Sequence, residues 1–300
     1  MARFGSLSLA SFLILIFSLF CITQCSSQST PKTSSLAFSI TKEEKAALQE
    51  FFRDLLFENM GAYVLYGTKP ISLACLEQPL SEEEKAQWDE YYNSLSEEER
   101  SNYTLRTKKY DFFSNYQKWE EIKHRLPIKQ YLFGKFKSRF SDKTEIIIFA
   151  NIEMTLRILL EFYDDFKRVL GAEFDPFQAV FELDNNSSKF WNCVMDNHAL
   201  LGILLGYGRD NAWFFEWESK YGKNDDQVGN FIKSLPSTVY EQRDIRYPTP
   251  ENFMLPIFGS YGLHPNDKLL FEQYKEEQQQ IKKLYKGRDE VDIALEWLIR

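Results

Sequence analysis

The apolar positions that follow residue 41 repeat with the period of a helix. Thr41-Lys42-Glu43-Glu44 has the Ser/Thr-x-x-Glu form of a capping box. Five apolar side chains then fall on one helical face at the i, i+3, i+4, i+7 and i+8 positions: Leu48, Phe51, Phe52, Leu55 and Leu56. This pattern predicts a helix from about residue 42 to residue 60 that ends at Gly61.

Further helix starts are marked by residues that cap helices. Ser81 and Ser96 each open a Ser-x-x-Glu sequence, and Asp175-Pro176 combines an N-cap residue with a first-turn proline. The apolar run 144–170 predicts one long buried helix, with a short strand at 145–150 as the less favoured alternative. The other predicted helices are one capped by Ser187 or Ser188 that runs to Leu205, then 211–220, 267–286 and 290–299.

Two stretches lack helical periodicity. Residues 62–70 hold β-branched and aromatic side chains between glycines and a proline, which predicts a short extended segment or a turn. Residues 234–265 are rich in Pro and Gly, which predicts a long irregular excursion. Because strands and helices do not alternate, we expect an all-α or predominantly α fold. It would be an irregular multi-helix domain with short extended segments.

The first 25 residues have the composition of a signal sequence. Arg3 precedes an uncharged run from Leu7 to Ile22, which is shorter than the roughly 20 apolar residues that a spanning helix needs. The polar stretch 26–40 that follows has too little apolar surface to fold, so it predicts a tether. We expect the rest, 41–300, to be a helical globular region, either undivided or built from subdomains 41–140 and 141–300.

Three fates of the N-terminus stay open. Cys25 stands where a bacterial lipoprotein signal places its lipidated cysteine, although Gln24 departs from the small residue usual before it. The alternatives are ordinary cleavage near Ser27 and an uncleaved anchor. In each case we expect an exported protein located in the cell envelope, either tethered to a membrane or periplasmic.

The composition limits the classes of partner that the protein is expected to bind. The formal net charge of −8 argues against nucleic acid and anionic lipid surfaces as partners, and an aromatic content of 16% excludes disorder. Only Cys75 and Cys193 remain after the signal sequence. In an oxidising compartment these two cysteines either form a disulfide or stay as two buried thiols, and both alternatives stay open.

Well-known catalytic and metal-binding motifs are missing from the sequence. None of the three histidines (His124, His198 and His264) has metal-ligand spacing to another His or Cys, and phosphate-binding loops and nucleophile elbows are absent. We therefore expect no metal and no cofactor. The chain is more easily explained as a binding protein than as an enzyme.

Three glycine-containing turns flanked by aromatic residues are the best candidates for a binding site. They are Gly67–Pro70, the corner 206–217 and Gly259–Pro265, and binding residues concentrate in loops set on a rigid scaffold. The alternatives are that these turns lie far apart and that Trp213 belongs to the core. The polar and aromatic groups that would orient a ligand or partner there are Lys69, Tyr207, Arg209, Asn211, Trp213 and His264.

Two of these segments also carry a resemblance. Gly61–Pro70 and the later Leu200–Asn211, which contains Gly206-Tyr207-Gly208-Arg209-Asp210-Asn211, are similar to segments of uncharacterised exported, lipoprotein-like proteins of intracellular bacteria. The resemblance covers about a tenth of the chain and implies a location in the bacterial envelope. It implies no activity and no catalytic residue.

The function expected from these observations is that of an exported envelope protein that binds another protein or an envelope polymer near a membrane. The alternative is an envelope hydrolase that works with carboxylates, for which Asp210, Glu216 and Glu218 near His198 are the acid/base candidates. That alternative requires the carboxylates to face one cleft.

Overall fold

Helices dominate the fold, and many of them begin at Ser, Thr, Asp or Asn residues whose side chains cap the first turn. The computed structural model describes residues 40–97, 100, 112–138, 141–223, 226–240, 248–262 and 267–300. The predicted signal sequence with Cys25, the tether up to residue 39, and His264 lie outside these residues. The described α-helices are α1 (Lys42–Phe52), α2 (Ala62–Leu65), α3 (Glu82–Ser94), α4 (Phe112–Lys123), α5 (Ile152–Glu161), α6 (Tyr163–Leu170), α7 (Pro176–Phe181), α8 (Lys189–Met195), α9 (His198–Leu204), α10 (Arg209–Tyr221), α11 (Gln227–Ser234), α12 (Asp267–Tyr285) and α13 (Glu290–Leu298).

Five strands complete the described elements: β1 (Ile71–Glu77), β2 (Tyr131–Lys137), β3 (Thr144–Asn151), β4 (Thr238–Tyr240) and β5 (Phe258–Ser260). The first three form an antiparallel sheet in the order β1-β3-β2, in which Ile71 lies opposite Ala150 and Tyr131 opposite Asn151. The last two pair as a short antiparallel ribbon. The expectation of a predominantly helical class is confirmed.

The capping signals place the helix starts. Two of the three Ser/Thr-x-x-Glu sequences form capping boxes in the described part of the chain, Thr41 with Glu44 at the start of α1 and Ser81 with Glu84 at the start of α3. The Asp175 carboxylate accepts hydrogen bonds from the first-turn amides of α7. At the second Ser-x-x-Glu sequence the Arg100 amide donates to the Ser96 carbonyl, and residues 101–111 lie outside the described part.

The predicted long helix over 144–170 is wrong in its first third. Thr144–Asn151 is the central strand β3, because its run of Ile146, Ile147 and Ile148 suits a strand with a neighbour on each side. The Asn151 side chain then caps α5 by accepting a hydrogen bond from the Met154 amide. A break at Phe162 separates α5 from α6.

Two shorter predictions also need correction. Residues 62–65 form the helix α2 instead of an extended segment, since all four side chains are buried and tertiary packing outweighs their β-propensity. The predicted helix from Ser188 to Leu205 is two helices, because the Asn197 side chain accepts a hydrogen bond from the Leu200 amide and starts α9.

The helix α1 continues into a π-helical turn, Arg53–Glu58, and the chain then turns at Met60. An apolar core lies between the sheet and the helices α5 to α10, with Trp191, Phe166 and Ile148 fully buried. Residues Thr41–Arg300 form one compact unit. None of the described helices combines the length and the apolar content that a bilayer crossing requires.

Candidate functional site: a cleft between α5 and α12

A cleft of about 900 Å³ opens between α5 and α12. Its floor is the connection between α9 and α10, which we call the floor turn (residues 205–208). Two of the three glycine-containing turns of the sequence form part of the cleft, since the first turn lines it with Thr68 and Pro70 and the second supplies its floor. The third turn does not line the cleft, but its Ser260 donates a hydrogen bond to Asp267, which does. The lining residues are Thr68, Pro70, Met154, Arg157, Ile158, Glu161, Phe162, Ile203, Gly206, Gly208, Arg209, Asp210, Asn211, Asp267, Leu269, Leu270, Gln273 and Tyr274.

The floor turn needs glycine for two physical reasons. Gly206 has a φ of 75° and Gly208 a φ of 87°, which is the left-handed region that side chains with a Cβ disfavour. A Cβ on Gly206 would also lie 2.6 Å from the Tyr274 hydroxyl, which donates a hydrogen bond of 2.9 Å to the Gly206 carbonyl. The turn therefore lies tightly against α12.

The α5 wall is one face of that helix. Met154, Ile158 and Glu161 line the cleft at the i, i+4 and i+7 positions. Arg157 lies beside them and is paired to Glu153 at 2.8 Å, with both side chains mostly exposed. This wall offers apolar contact area with charged groups at its rim.

The α12 wall has a similar composition. Leu269 is 65% exposed, although leucine is usually buried, and Leu270 lies next to it. Gln273 donates hydrogen bonds of 2.6 Å to the Thr68 hydroxyl and 3.2 Å to Glu277, which joins this wall to the 67–70 turn. Apolar walls with a few oriented polar groups are typical of ligand-binding clefts.

Arg209 lines the cleft, but it is also tied to the core. Its guanidinium forms two hydrogen bonds with the Asp165 carboxylate, at 2.5 and 3.1 Å, and this contact raises the pKa of Arg209. Asp165 is buried and also accepts hydrogen bonds from Arg168 at 2.8 Å and from the Trp213 indole at 3.2 Å. Trp213 thus lies behind Arg209. The Arg168 guanidinium lies over the Trp213 ring, with its central carbon 4.6 Å from the ring centroid.

Asn211 joins three elements at the edge of the cleft. Its side-chain amide donates to the Tyr207 carbonyl at 3.1 Å and to the buried Asp267 carboxylate at 2.9 Å. The Ser260 hydroxyl of β5 donates to the same carboxylate. Asn211 is therefore a structural connection as well as a lining residue.

Neither Lys69 nor Tyr207 lines the cleft: Lys69 lies behind the floor turn, and Tyr207 is a residue of that turn. The Lys69 ammonium donates to the Leu205 carbonyl and lies 4.7 Å from the centroid of the Tyr207 ring, which stacks on Phe258. Burial raises the pKa of Tyr207 to about 12 and lowers the pKa of Lys69 to about 7. Both residues shape the floor of the cleft from inside.

Of the six expected binding residues, the structure thus brings five to one place. Arg209 and Asn211 line the cleft, the other three support it, and His264 lies outside the described residues. Sequence reasoning missed the wall residues, above all Met154, Ile158, Leu269 and Gln273. The helical spacing of the α5 residues was a signal, but nothing in the pattern separates a cleft wall from a buried face.

The three carboxylates expected for hydrolysis do not converge. Asp210 lines the cleft, whereas Glu216 is buried and accepts a hydrogen bond from the His198 amide at 3.1 Å. Glu218, two residues further along α10, accepts a hydrogen bond from the Tyr261 hydroxyl. Within the described parts of the chain, no group of three His, Cys, Asp or Glu side chains is arranged to hold a metal ion.

The disulfide alternative is not realised in the structure, where Cys75 and Cys193 are both free thiols. Cys75 occupies an exposed position of β1, whereas Cys193 is half-buried in α8 and burial raises its pKa.

Comparisons with known proteins add no relative to this description. No family model matches the chain, and no match was found among curated proteins or solved structures.

Proposed function

We propose that this chain is an exported envelope protein that binds another protein by holding a short segment of it in the cleft between α5 and α12. The observation that carries the proposal is the cleft itself, where apolar walls from two helices face each other above the floor turn. We also propose that segment 234–265 is a long irregular stretch. Its Ser260 donates a hydrogen bond to Asp267 at the edge of the cleft.

The chemistry of the walls favours a peptide segment over a sugar polymer. Aliphatic and thioether side chains such as Met154, Ile158 and Leu269 supply the contact area, and these suit apolar side chains of a partner. Sugars are held mainly on exposed aromatic faces. The aromatic side chains of the cleft are Phe162 and Tyr274, and the second of these is fully buried.

A photo-crosslinking amino acid placed at Leu269 tests the cleft. The matched control is the same amino acid at Phe181, which is 63% exposed on α7 but does not line the cleft, against 65% for Leu269. Crosslinking in the producing cells should give a protein adduct from position 269 and not from position 181. Equal adducts from both positions, or none from position 269, contradict the proposal.

Export and tethering form a separate part of the proposal, supported by the uncharged run from Leu7 to Ile22 and the polar stretch after it. A fatty-acid analogue should label the parent chain and not the Cys25→Ala variant. An unlabelled chain whose mature N-terminus lies near Ser27 would replace the lipid tether with ordinary secretion. A chain that stays in the cytoplasm would refute the proposal of export.

A further inference from the structure

The most unusual side chain near the cleft is Lys69. It is 1% exposed, and lysine is rarely buried to this extent without a paired carboxylate. Among the described residues none forms an ion pair with its ammonium group. Glu277 is the nearest source of negative charge and raises the pKa of Lys69, but desolvation is the larger effect and lowers it.

The ammonium group of Lys69 contacts the floor turn. It donates to the carbonyl of Leu205 and lies over the ring of Tyr207, the two residues that flank Gly206. Gly206 itself lies over the lysine, since a Cβ there would be 3.9 Å from the Lys69 Cγ. The Lys69 side chain therefore lies directly beneath the floor turn, beside Pro70 and the Tyr274 hydroxyl, which are closer still to Gly206.

The three tyrosines around Lys69 stay neutral near pH 7. They are Tyr63 on α2, Tyr207 in the floor turn and Tyr274 on α12, and burial raises the pKa of each. The fourth titratable neighbour, Glu277 on α12, accepts a hydrogen bond of 2.7 Å from the Thr68 hydroxyl. Among the lysine and the three tyrosines, Lys69 is thus the group whose charge changes near neutral pH.

We propose that Lys69 makes the shape of the cleft floor depend on pH, because the charged lysine favours an open floor turn through which its ammonium group reaches water. In the closed form shown by the structure, the amine is neutral or weakly protonated and packs under Gly206. In the open form the ammonium group lies in the cleft. The proposal rests on the proposed function, in that the cleft is taken as the binding site.

The direction of the effect follows from linkage. A lysine in water has a pKa of 10.5, whereas the pKa of the buried Lys69 is lowered to about 7. The closed form thus binds the proton more weakly than the open form, so falling pH favours opening between these two values and changes nothing further below pH 7. Between pH 9 and pH 7 the ratio of open to closed floor turn rises about 50-fold on these pKa values.

Hydrogen exchange at single amides tests this directly. The amides of Gly206 and Tyr207 are hydrogen bonded to the carbonyls of Ile203 and Gly202 in the closed turn, so their exchange reports its opening. The amide of Ile147, in the central strand β3, reports opening of the whole unit. The parent protein and a Lys69→Met variant, which cannot be charged, are compared at pH 7, 8 and 9.

After correction for intrinsic exchange, the protection of the Gly206 and Tyr207 amides in the parent should rise about 50-fold from pH 7 to pH 9, while Ile147 changes little. In Lys69→Met the same protection should not vary with pH. If that variant does not fold, a rise confined to the floor turn of the parent supports the proposal. A rise shared with Ile147 overturns it.

Constant protection of the floor turn in the parent also overturns the proposal, and so does an equal rise in Lys69→Met. The measurement needs no ligand, so its failure is distinguishable from failure of the crosslinking test of the cleft.

Discussion

Replacing Asp54 by Asn should make the protein more stable at neutral pH and remove part of its pH dependence. Asp54 is 5% exposed inside the π-helical turn, and its Oδ2 has no hydrogen-bond partner among the described residues. Burial, followed by the charges of Glu58 and Glu50, raises the pKa of Asp54 to about 8 against the opposing effect of Arg53. The folded chain thus keeps a proton on this carboxyl at neutral pH.

The sign and the size of the effect follow from these two protonation states. In the unfolded chain the carboxyl ionises near pH 3.8, so between that pH and about 8 the folded state holds one proton more than the unfolded state. Stability therefore falls as the pH rises through this window, by about 1.4 kcal/mol per pH unit. From pH 5 to pH 7 the loss is about 2 to 3 kcal/mol, and an asparagine avoids it.

Urea unfolding followed by tryptophan fluorescence at pH 5, 6 and 7 measures the difference. The free energy of unfolding of Asp54→Asn, relative to the parent, should increase by about 2 to 3 kcal/mol between pH 5 and pH 7. Asp89→Asn is the matched control, since Asp89 is exposed on α3. Parallel pH profiles for the parent and Asp54→Asn would show that Asp54 is ionised in the folded chain. An equal change in Asp89→Asn would show that the effect does not come from the burial of Asp54.

Three further predictions concern the cleft and the thiols. Gly206→Ala should cost about 3 kcal/mol and Gly287→Ala about 1 kcal/mol in urea unfolding. Both glycines have left-handed backbones, at φ 75° and 72°, but only the first has an atom in the path of the new Cβ. Equal losses contradict the tight floor turn. Asn211→Ala should cost about 2 kcal/mol because it removes the donor to one oxygen of the buried Asp267 carboxylate, whose other oxygen keeps its hydrogen bond from Ser260, and an unchanged melting temperature refutes this. Without prior reduction, both cysteines should react with a thiol reagent, and Cys75 should react faster than Cys193. A chain in which neither thiol reacts would mean that the two cysteines form a disulfide.

Local signals in the sequence were enough to place many elements. Thr41, Ser81 and Asp175 start helices because the capping interaction lies within three residues and needs no tertiary contact. The run Ile146–Ile148 was misassigned because a short, fully buried apolar run suits a core helix and a central strand equally, and only its partners β1 and β2 decide.

The candidate site was predictable to a smaller extent. The glycines of the corner 206–217 indicated a turn, and Arg209 and Asn211 do line the cleft. The role of Lys69 was not predictable, because a lysine in a turn is ordinarily exposed and only packing against Tyr207 reveals its burial. The α12 wall could not be predicted from the sequence, because its cleft-facing side chains follow the same helical period as core residues.

The two walls of the cleft are synthesised at different times. Thr68 and Glu277, which bond across its edge, are 209 residues apart, and the α12 wall belongs to the last described helices. A chain that emerges N-terminus first presents α5 and the floor turn well before α12 exists to face them. Until then Met154 and Ile158 form an open apolar strip with no opposite wall. A newly made chain therefore completes the cleft only after α12 has been synthesised and has folded against the earlier elements.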